Sequence, residues 1–249
     1  MKVKHKVNQL VDKVFVLSVK TYSNRIEHIN KQMEKHNIDF DFIFKYDASD
    51  LSKKDINKFD TNKLSISQIS LIMKNIEAWK ISIKKKYKRI LIFEDDAILS
   101  NNFEADFNKV MEESLFLNPG YLIFFGGADT KVPFEKLKTK LSIFENPIAT
   151  AEGYLTDNHA CRKRIEWTEN KNNIITLPAD HLIKDLDKTL GVKHYWSKKP
   201  LVEQGSVTGT FRTTLDRNRM KHSQIYNKVR YKWSKFHRRK LKEFFAKYF

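Results

Sequence analysis

A short apolar segment that runs directly into three acidic residues constrains the fold of this chain more than any other feature. Residues 89–93 read RILIF, Glu94, Asp95 and Asp96 follow at once, and apolar residues resume at Ala97. A short apolar run with these boundaries is typical of a buried strand. The segment therefore predicts a sheet strand with three carboxylates at its carboxyl end, the edge where open α/β sheets bind ligands.

Strand-like and helix-like patterns alternate along most of the chain. Short apolar or alternating runs predict strands at 13–19, 40–46, 89–93, 121–125 and 149–155. Apolar spacings of three and four residues predict helices at 24–36, 66–87, 103–115 and 178–190, and another that ends near Trp167. The pattern weakens over 128–146, which predicts a loop. This alternation predicts an α/β sandwich with a mostly parallel sheet between helices.

Composition excludes several classes of protein. A hydrophobic content of 41% excludes a disordered chain, and with 7 glycines the sequence has no glycine-rich phosphate loop. The single cysteine, Cys161, cannot form an internal disulfide, and we interpret it as a buried core residue rather than a nucleophile. No apolar run approaches the ~20 residues of a membrane span, and the basic N-terminus lacks a signal-peptide core. We therefore expect a cytoplasmic protein.

Positive charge is concentrated at the C-terminus, which predicts a body at 1–210 and a tail at 211–249. Residues 217–249 hold 12 of the 47 lysines and arginines and one acid, Glu243. Apolar residues recur there at helical spacing, namely Ile225, Val229, Trp233, Phe236, Leu241, Phe244 and Tyr248. A basic amphipathic helix suits an anionic membrane surface. The alternative is a terminal helix packed on the body with a solvated basic face. Nucleic acid is not an expected partner, because the body is only mildly basic.

The three adjacent carboxylates predict a metal site. Glu94, Asp95 and Asp96 repel one another, and a divalent cation relieves that repulsion. Hard oxygen ligands suit Mg²⁺ or Mn²⁺ held together with substrate phosphates. The alternative is a solvated acidic turn that caps the following helix, which the apolar residues on both sides disfavour.

The acidic segment resembles the metal-binding motif of glycosyltransferase family 25, which includes bacterial lipooligosaccharide galactosyltransferases and collagen galactosyltransferases. Six other segments resemble family motifs in the same order, at 14–25, 46–48, 64–79, 149–155, 177–182 and 201–206. The resemblance covers about residues 13–210 in patches and stops at the tail. The family helix usually carries a Glu and then a Ser-His pair, where this chain has Gln68 and Lys74-Asn75. This departure implies altered specificity, or an inactive member.

The resemblance implies a GT-A fold and an inverting, metal-dependent hexosyltransferase. The expected donor is a nucleotide sugar, UDP-galactose, and the expected acceptor is a lipid-linked lipooligosaccharide, lipopolysaccharide or related surface glycan. The expected location is the inner face of the cytoplasmic membrane. Two other functions stay open: a metal-dependent phosphohydrolase or nuclease that uses the same acids, and a non-catalytic GT-A-like binding protein.

The resemblance also implies roles for individual residues. Metal binding is expected of Glu94, Asp96 and His181, and the catalytic base is expected to be Asp180. The expected donor-binding set is Ser18, Arg25, Asp47, Lys74, Asp95, Gly153, Tyr154 and Gln204, with Gly153 and Tyr154 on the acceptor side. Several of these residues have a plain structural alternative. Asp180 suits the first turn of a helix, Tyr154 suits the core, and Lys74 suits the surface.

Overall fold

The computed structural model describes residues 6–126, 132–146, 150, 152–212 and 221–248. Nine strands are found there: β1 Lys13–Leu17, β2 Asp41–Ile43, β3 Arg89–Glu94, β4 Ala97–Leu99, β5 Tyr121–Phe124, β6 Ile143–Glu145, β7 Gly153–Asp157, β8 Lys193–Ser197 and β9 Val202–Gln204. Seven of them form a central sheet in the order β2-β1-β3-β7-β5-β8-β6. The other two, β4 and β9, pair with each other.

The central sheet is mostly parallel, as the sequence predicts. Parallel pairs join β1 to β2, β1 to β3 and β5 to β8. β7 lies between β3 and β5 and runs antiparallel to both, and β6 is antiparallel to β8. The carboxyl ends of β1, β3, β5 and β8 therefore share one edge of the sheet, which we call the carboxyl edge.

Helices cover both faces of this sheet. Within the described residues they are α1 Val7–Leu10, α2 Ser23–Lys35, α3 Lys53–Ile56, α4 Ile66–Lys84, α5 Phe103–Ser114, α6 Phe134–Lys138, α7 Asn158–Glu169, α8 Ala179–Leu190, α9 Gly205–Thr208, α10 Gln224–Lys235 and α11 Leu241–Tyr248, with a π-helical turn at Phe236–Lys240. One hydrophobic cluster packs α4, α7 and α8 on the sheet, and a second packs α2 and α5 on the opposite face. The predicted α/β sandwich is confirmed.

Strand β3 is buried on both faces along its centre, which explains why residues 90–93 are all apolar. Ile90 and Ile92 belong to one hydrophobic cluster, whereas Leu91 and Phe93 belong to the other, and all four are inaccessible to solvent. Successive side chains of a strand point to opposite faces, so both faces of β3 need apolar residues. The acids that follow are therefore attached to a rigid central strand.

Two local predictions differ from the structure. The second strand is limited to Asp41–Ile43, because the chain turns at Tyr46, whose φ of 69° lies in the left-handed region. The loop predicted at 128–146 is wrong for α6 and β6, while residues 127–131 lie outside the described part of the chain. Such elements are too short to show a period in the sequence.

The buried position expected for Cys161 is confirmed, and burial raises the pKa of its thiol to about 12.

The C-terminal helices contact the body at two places. α10 packs on α9, and α11 packs on α6. Among the described residues, no helix is both long enough and apolar enough to cross a membrane. The division into a body at 1–210 and a tail at 211–249 stays a prediction.

Candidate active site

The acidic residues form a tight turn at the carboxyl edge, which we call the acid loop (Glu94–Asp96). Glu94 ends β3, Asp95 and Asp96 make the turn, and β4 begins at Ala97. β4 pairs with β9, and Ala97 lies opposite Gln204 in that ladder. The loop is therefore fixed on one side by the central sheet and on the other by the small two-stranded sheet.

Asp95 is held by residues that follow β1. Its two carboxylate oxygens accept hydrogen bonds from the Ser18 hydroxyl at 2.9 Å and from Arg25 Nη1 at 2.8 Å. The other terminal nitrogen of Arg25, Nη2, donates to the Arg212 carbonyl at 3.0 Å. The structure thus brings together three residues of the expected donor-binding set, and Arg25 neutralises the middle acid of the loop.

Asp96 has one satisfied and one unsatisfied oxygen. Its Oδ2 accepts a hydrogen bond from the Ser206 backbone N–H at 2.9 Å, whereas its buried Oδ1 has no partner among the described residues. Burial raises the pKa of Asp96, although Arg25 and the Ser206 amide favour the ionised form. A buried carboxylate oxygen without a partner is costly, so this atom is a natural ligand for a cation.

Glu94 is the most strongly perturbed acid of the loop. Burial raises its pKa well above the usual range, and the charges of Asp96, Glu152 and Asp95 raise it further. Its Oε2 accepts a hydrogen bond from Gln204 Nε2 at 3.1 Å, so a fourth member of the expected donor-binding set lies at the loop. Mutual repulsion between buried carboxylates favours either a shared proton or a bound cation.

The residues present fit a divalent ion held partly by a substrate. In the parts of the chain that the structure describes, no three His, Cys, Asp or Glu side chains form a ready-made metal site. Mg²⁺ and similar ions are often held by one or two carboxylates together with substrate phosphates. Asp96 and Glu94 can supply those carboxylates, because Arg25 and Ser18 already engage Asp95.

Glu152 is a fourth acid at the site, and the sequence analysis did not single it out. It is buried immediately before β7, and its carbonyl accepts a hydrogen bond from the Glu94 backbone N–H at 3.2 Å. A Cβ atom on Gly126 would overlap the Glu152 carboxylate, so the glycine at the end of β5 makes room for it. The sequence feature that could have identified Glu152 is an acid that lies among small residues at 149–153.

Residues 202–212 fold over the acid loop, and we call them the strap. The Gly205 N–H donates to the Asp96 carbonyl at 2.8 Å. A Cβ on Gly205 would lie 2.8 Å from that same oxygen and 2.6 Å from the Phe211 ring, so close approach requires glycine here. The Phe211 ring lies 5.5 Å from the Arg25 guanidinium and 5.0 Å from the His28 ring. The strap therefore positions both Asp96 and Arg25.

A sequence-family comparison identifies the chain. The model of glycosyltransferase family 25, described as an LPS biosynthesis protein family, matches residues 11–183. The chain belongs to glycosyltransferase family 25. It is therefore a transferase of lipopolysaccharide biosynthesis, and the resemblance inferred from its motifs is confirmed. No curated protein sequence matches it. The family match includes the acid loop and Arg25 but ends before the strap.

In this family 25 glycosyltransferase, Lys74 and Asp47 form a buried pair beside the acid loop. Lys74 Nζ donates to Asp47 Oδ1 at 2.6 Å and to the carbonyls of residues 43–45 at 3.0–3.3 Å. Asp47 Oδ2 also accepts from the Lys20 backbone N–H at 3.0 Å. These contacts fix the chain after β2 against the chain after β1. Contact of either residue with the donor stays a prediction.

Gly153 and Tyr154 lie inside the transferase. A Cβ on Gly153 would lie 3.0 Å from Val202 and 3.1 Å from Phe93, so packing explains this glycine. The Tyr154 hydroxyl donates to Asn75 Oδ1 at 2.6 Å and accepts from Trp79 Nε1 at 3.1 Å. Burial raises the pKa of Tyr154. The position agrees with the core alternative, and a role in sugar binding stays a prediction.

Asp180 and His181 lie in the first turn of α8. Residues 191–192 link α8 to β8, so this turn lies toward the carboxyl edge. Asp180 Oδ1 accepts a hydrogen bond from the His181 backbone N–H at 2.9 Å, and the His181 side chain is exposed. Neither side chain forms a hydrogen bond to the acid loop within the described residues. Their roles as base and metal ligand stay predictions.

Proposed function

We propose that the enzyme transfers a hexose from a nucleotide-sugar donor to a glycan acceptor at the acid loop. The unpartnered Oδ1 of Asp96, buried beside the perturbed carboxylate of Glu94, is the observation that supports this most directly. Such a pair at the carboxyl edge of an α/β sheet suits a cation that contacts a donor diphosphate. Within this proposal the fold is of the GT-A type and the donor is UDP-galactose.

The residues of the loop then have distinct tasks. Asp96 and Glu94 hold Mn²⁺ or Mg²⁺, which supplies Lewis-acid stabilisation of the leaving nucleoside diphosphate. Gln204 orients Glu94, and the Ser206 amide orients Asp96. Arg25 and Ser18 fix the position of the Asp95 carboxylate through their hydrogen bonds to it. Asp95 can therefore accept a hydrogen bond from the donor, and Arg25 places positive charge beside its phosphates.

Inversion at the anomeric carbon requires a base that takes the proton of the acceptor hydroxyl. We assign this task to Asp180, because it is a half-buried carboxylate at the end of α8 that lies toward the carboxyl edge. His181 is its neighbour and a further candidate metal ligand. Gly153 and Tyr154 support the acceptor side from within the core. The acceptor is a lipid-linked surface glycan, which places the enzyme at the inner face of the cytoplasmic membrane.

The first experiment measures release of nucleoside diphosphate from UDP-, GDP- and CMP-linked sugars, with Mn²⁺ or with chelator. We expect metal-dependent release from one donor by the wild type and loss of release in Asp96→Asn. Asp185→Asn, an exposed acid on α8, is the matched control and is expected to behave as wild type. Equal release by Asp96→Asn would contradict the proposal, and cleavage of phosphodiesters in place of sugar donors would favour the phosphohydrolase alternative.

A further inference from the structure

The apolar residues of α10 lie on the face directed away from the protein. Ile225, Val229 and Trp233 of α10 and Phe236, the first residue of the π-helical turn after it, follow one another at four, four and three positions, which places them on one side of the helix. Their exposed fractions are 77%, 63%, 65% and 44%, whereas Tyr231, on the opposite side, is 7% exposed. We call these four residues the apolar stripe.

This orientation is the reverse of that of an ordinary terminal helix. A surface helix normally directs its apolar side at the core and its charged side at solvent. Here the side that faces α9 includes the half-buried Asn227 and Ser234, and the apolar stripe faces outward. An exposed row of large apolar side chains indicates a surface that binds a partner. The alternative of a tail packed on the body through its apolar face does not describe α10.

The charges around the apolar stripe define that partner. Lys228, Arg230 and Lys232 are exposed on the same helix, and the described part of the tail contains a single acid, Glu243. A second copy of the helix would bring like charges together. An anionic bilayer offers negative headgroups to the cations and an apolar layer to the stripe, with Trp233 at the interface between them.

The helix is attached to the elements that hold the acid loop. Lys235 of α10 forms an ion pair with Glu203 of β9. A Cβ on Gly209 would lie 2.6 Å from the Gln224 carbonyl, so the end of α9 packs closely on the start of α10. The same short segment donates the Gly205 and Ser206 amides to Asp96. The segment that contains α9 therefore lies between α10 and the acid loop and contacts both.

We propose that the apolar stripe of α10 binds an anionic bilayer surface and holds the carboxyl edge, with its acid loop, against the lipid headgroups. The inference deepens the proposed function and rests on it, because it makes the substrate a glycan whose acceptor sugar lies close to its lipid. Transfer to a glycan in solution would not require the acid loop to lie against the lipid headgroups.

Vesicle co-sedimentation of the full chain tests the docking surface. We expect binding to phosphatidylcholine vesicles that contain phosphatidylglycerol, and weaker binding as salt is raised. The double variant Val229→Ser, Trp233→Ser should bind at least about tenfold more weakly, because it removes two side chains that bury apolar area. Arg230→Gln and Lys232→Gln should each weaken binding about fivefold. Leu115→Ser with Phe116→Ser, an exposed apolar pair beyond the end of α5, is the matched control and should bind as wild type.

Energy transfer tests the orientation. Cys161 is buried, so a dye can be placed at a new exposed cysteine, Arg212→Cys on the strap or Phe116→Cys at the opposite edge of the sheet. With a labelled lipid as acceptor dye, we expect stronger transfer from position 212 than from position 116. Equal or reversed transfer would refute the orientation.

Other outcomes separate this inference from the proposed function. Unchanged vesicle binding by the Val229→Ser, Trp233→Ser variant would overturn it, as would a wild-type dimer in sedimentation velocity that this variant abolishes. Binding of single-stranded RNA with no binding of vesicles would also overturn it.

Donor hydrolysis in vesicle-free solution should be equal in the wild type and in the Val229→Ser, Trp233→Ser variant. Absence of hydrolysis in both would contradict the transferase reaction and leave the vesicle result standing.

Discussion

The carboxylate of Asp96 combines a structural cost with a chemical use. Its unpartnered Oδ1 and its raised pKa mean that the ionised side chain destabilises the folded state unless a cation is bound. We therefore expect Mn²⁺ to stabilise the wild type against heat, by about 2.7 kcal/mol at a hundredfold excess over Kd. Asp96→Asn should show little of this stabilisation, while its metal-free stability equals or exceeds that of the wild type.

Thermal unfolding with and without Mn²⁺ measures both effects. Asp185→Asn leaves the acid loop intact, so its Mn²⁺ response should match that of the wild type. A full Mn²⁺ response in Asp96→Asn would exclude this carboxylate as a metal ligand.

Single residues also show how far the sequence could predict the site. Glu94, Asp95 and Asp96 are adjacent in the chain, and the carboxyl end of an apolar strand fixes their position, so local sequence was sufficient. Lys74 was expected to face the donor or solvent, but it is buried because its ammonium binds Asp47 and three backbone carbonyls. The three carbonyls lie about thirty residues away in the chain, and because they are backbone atoms no residue pattern identifies them.

At the scale of elements, the strap connects distant parts of the chain. Ser206 and Arg212 act through backbone atoms, which no residue pattern reveals, and Phe211 contacts Arg25 across the sheet edge.

Gly205→Ala would force a methyl group against the Asp96 carbonyl and the Phe211 ring. We expect a loss of about 1–3 kcal/mol in the free energy of unfolding, as in other overpacked sites. We also expect a larger donor KM, because Asp96 and Arg25 shift together.

Gly191 provides a control for Gly205→Ala, because its substitution tests backbone strain without a steric overlap. Gly191→Ala has no atom within 4 Å of the new Cβ, but its φ of 65° is unfavourable for alanine. Urea unfolding should show a modest loss of stability in this variant, and donor hydrolysis by the folded enzyme should be unchanged. If Gly205→Ala retains the wild-type KM, the strap does not position the acid loop.

At the scale of the whole molecule, a buried ion pair joins the half of the sheet that lies away from β1. Arg164 of α7 donates to both carboxylate oxygens of Asp187 of α8, from Nε at 2.7 Å and from Nη2 at 2.6 Å. Arg164 Nη1 reaches the Thr156 hydroxyl of β7 at 2.9 Å, and His194 Nε2 of β8 lies 2.7 Å from Asp187 Oδ2. Three elements, α7, α8 and β8, therefore meet at one fully buried carboxylate, and Arg164 links β7 to it.

Removing that carboxylate should destabilise the molecule in a pH-dependent way. Burial alone would raise the pKa of Asp187, but Arg164 and His194 lower it. A lowered pKa stabilises the folded state above the ordinary aspartate pKa of about 3.9, and this contribution disappears as the pH falls through the folded-state value. Asp187→Asn leaves Arg164 buried without its counter-charge, so we expect a loss of about 3–5 kcal/mol at neutral pH.

Urea unfolding at neutral and at acidic pH measures this loss. The difference between the wild type and Asp187→Asn should be largest at neutral pH and should shrink below about pH 4, where the wild-type carboxylate is protonated in the unfolded chain. Asp185→Asn, an exposed substitution on the same helix, should lose little stability at either pH. A difference between the wild type and Asp187→Asn that does not change with pH would mean that packing, rather than the charge of Asp187, stabilises this half of the molecule.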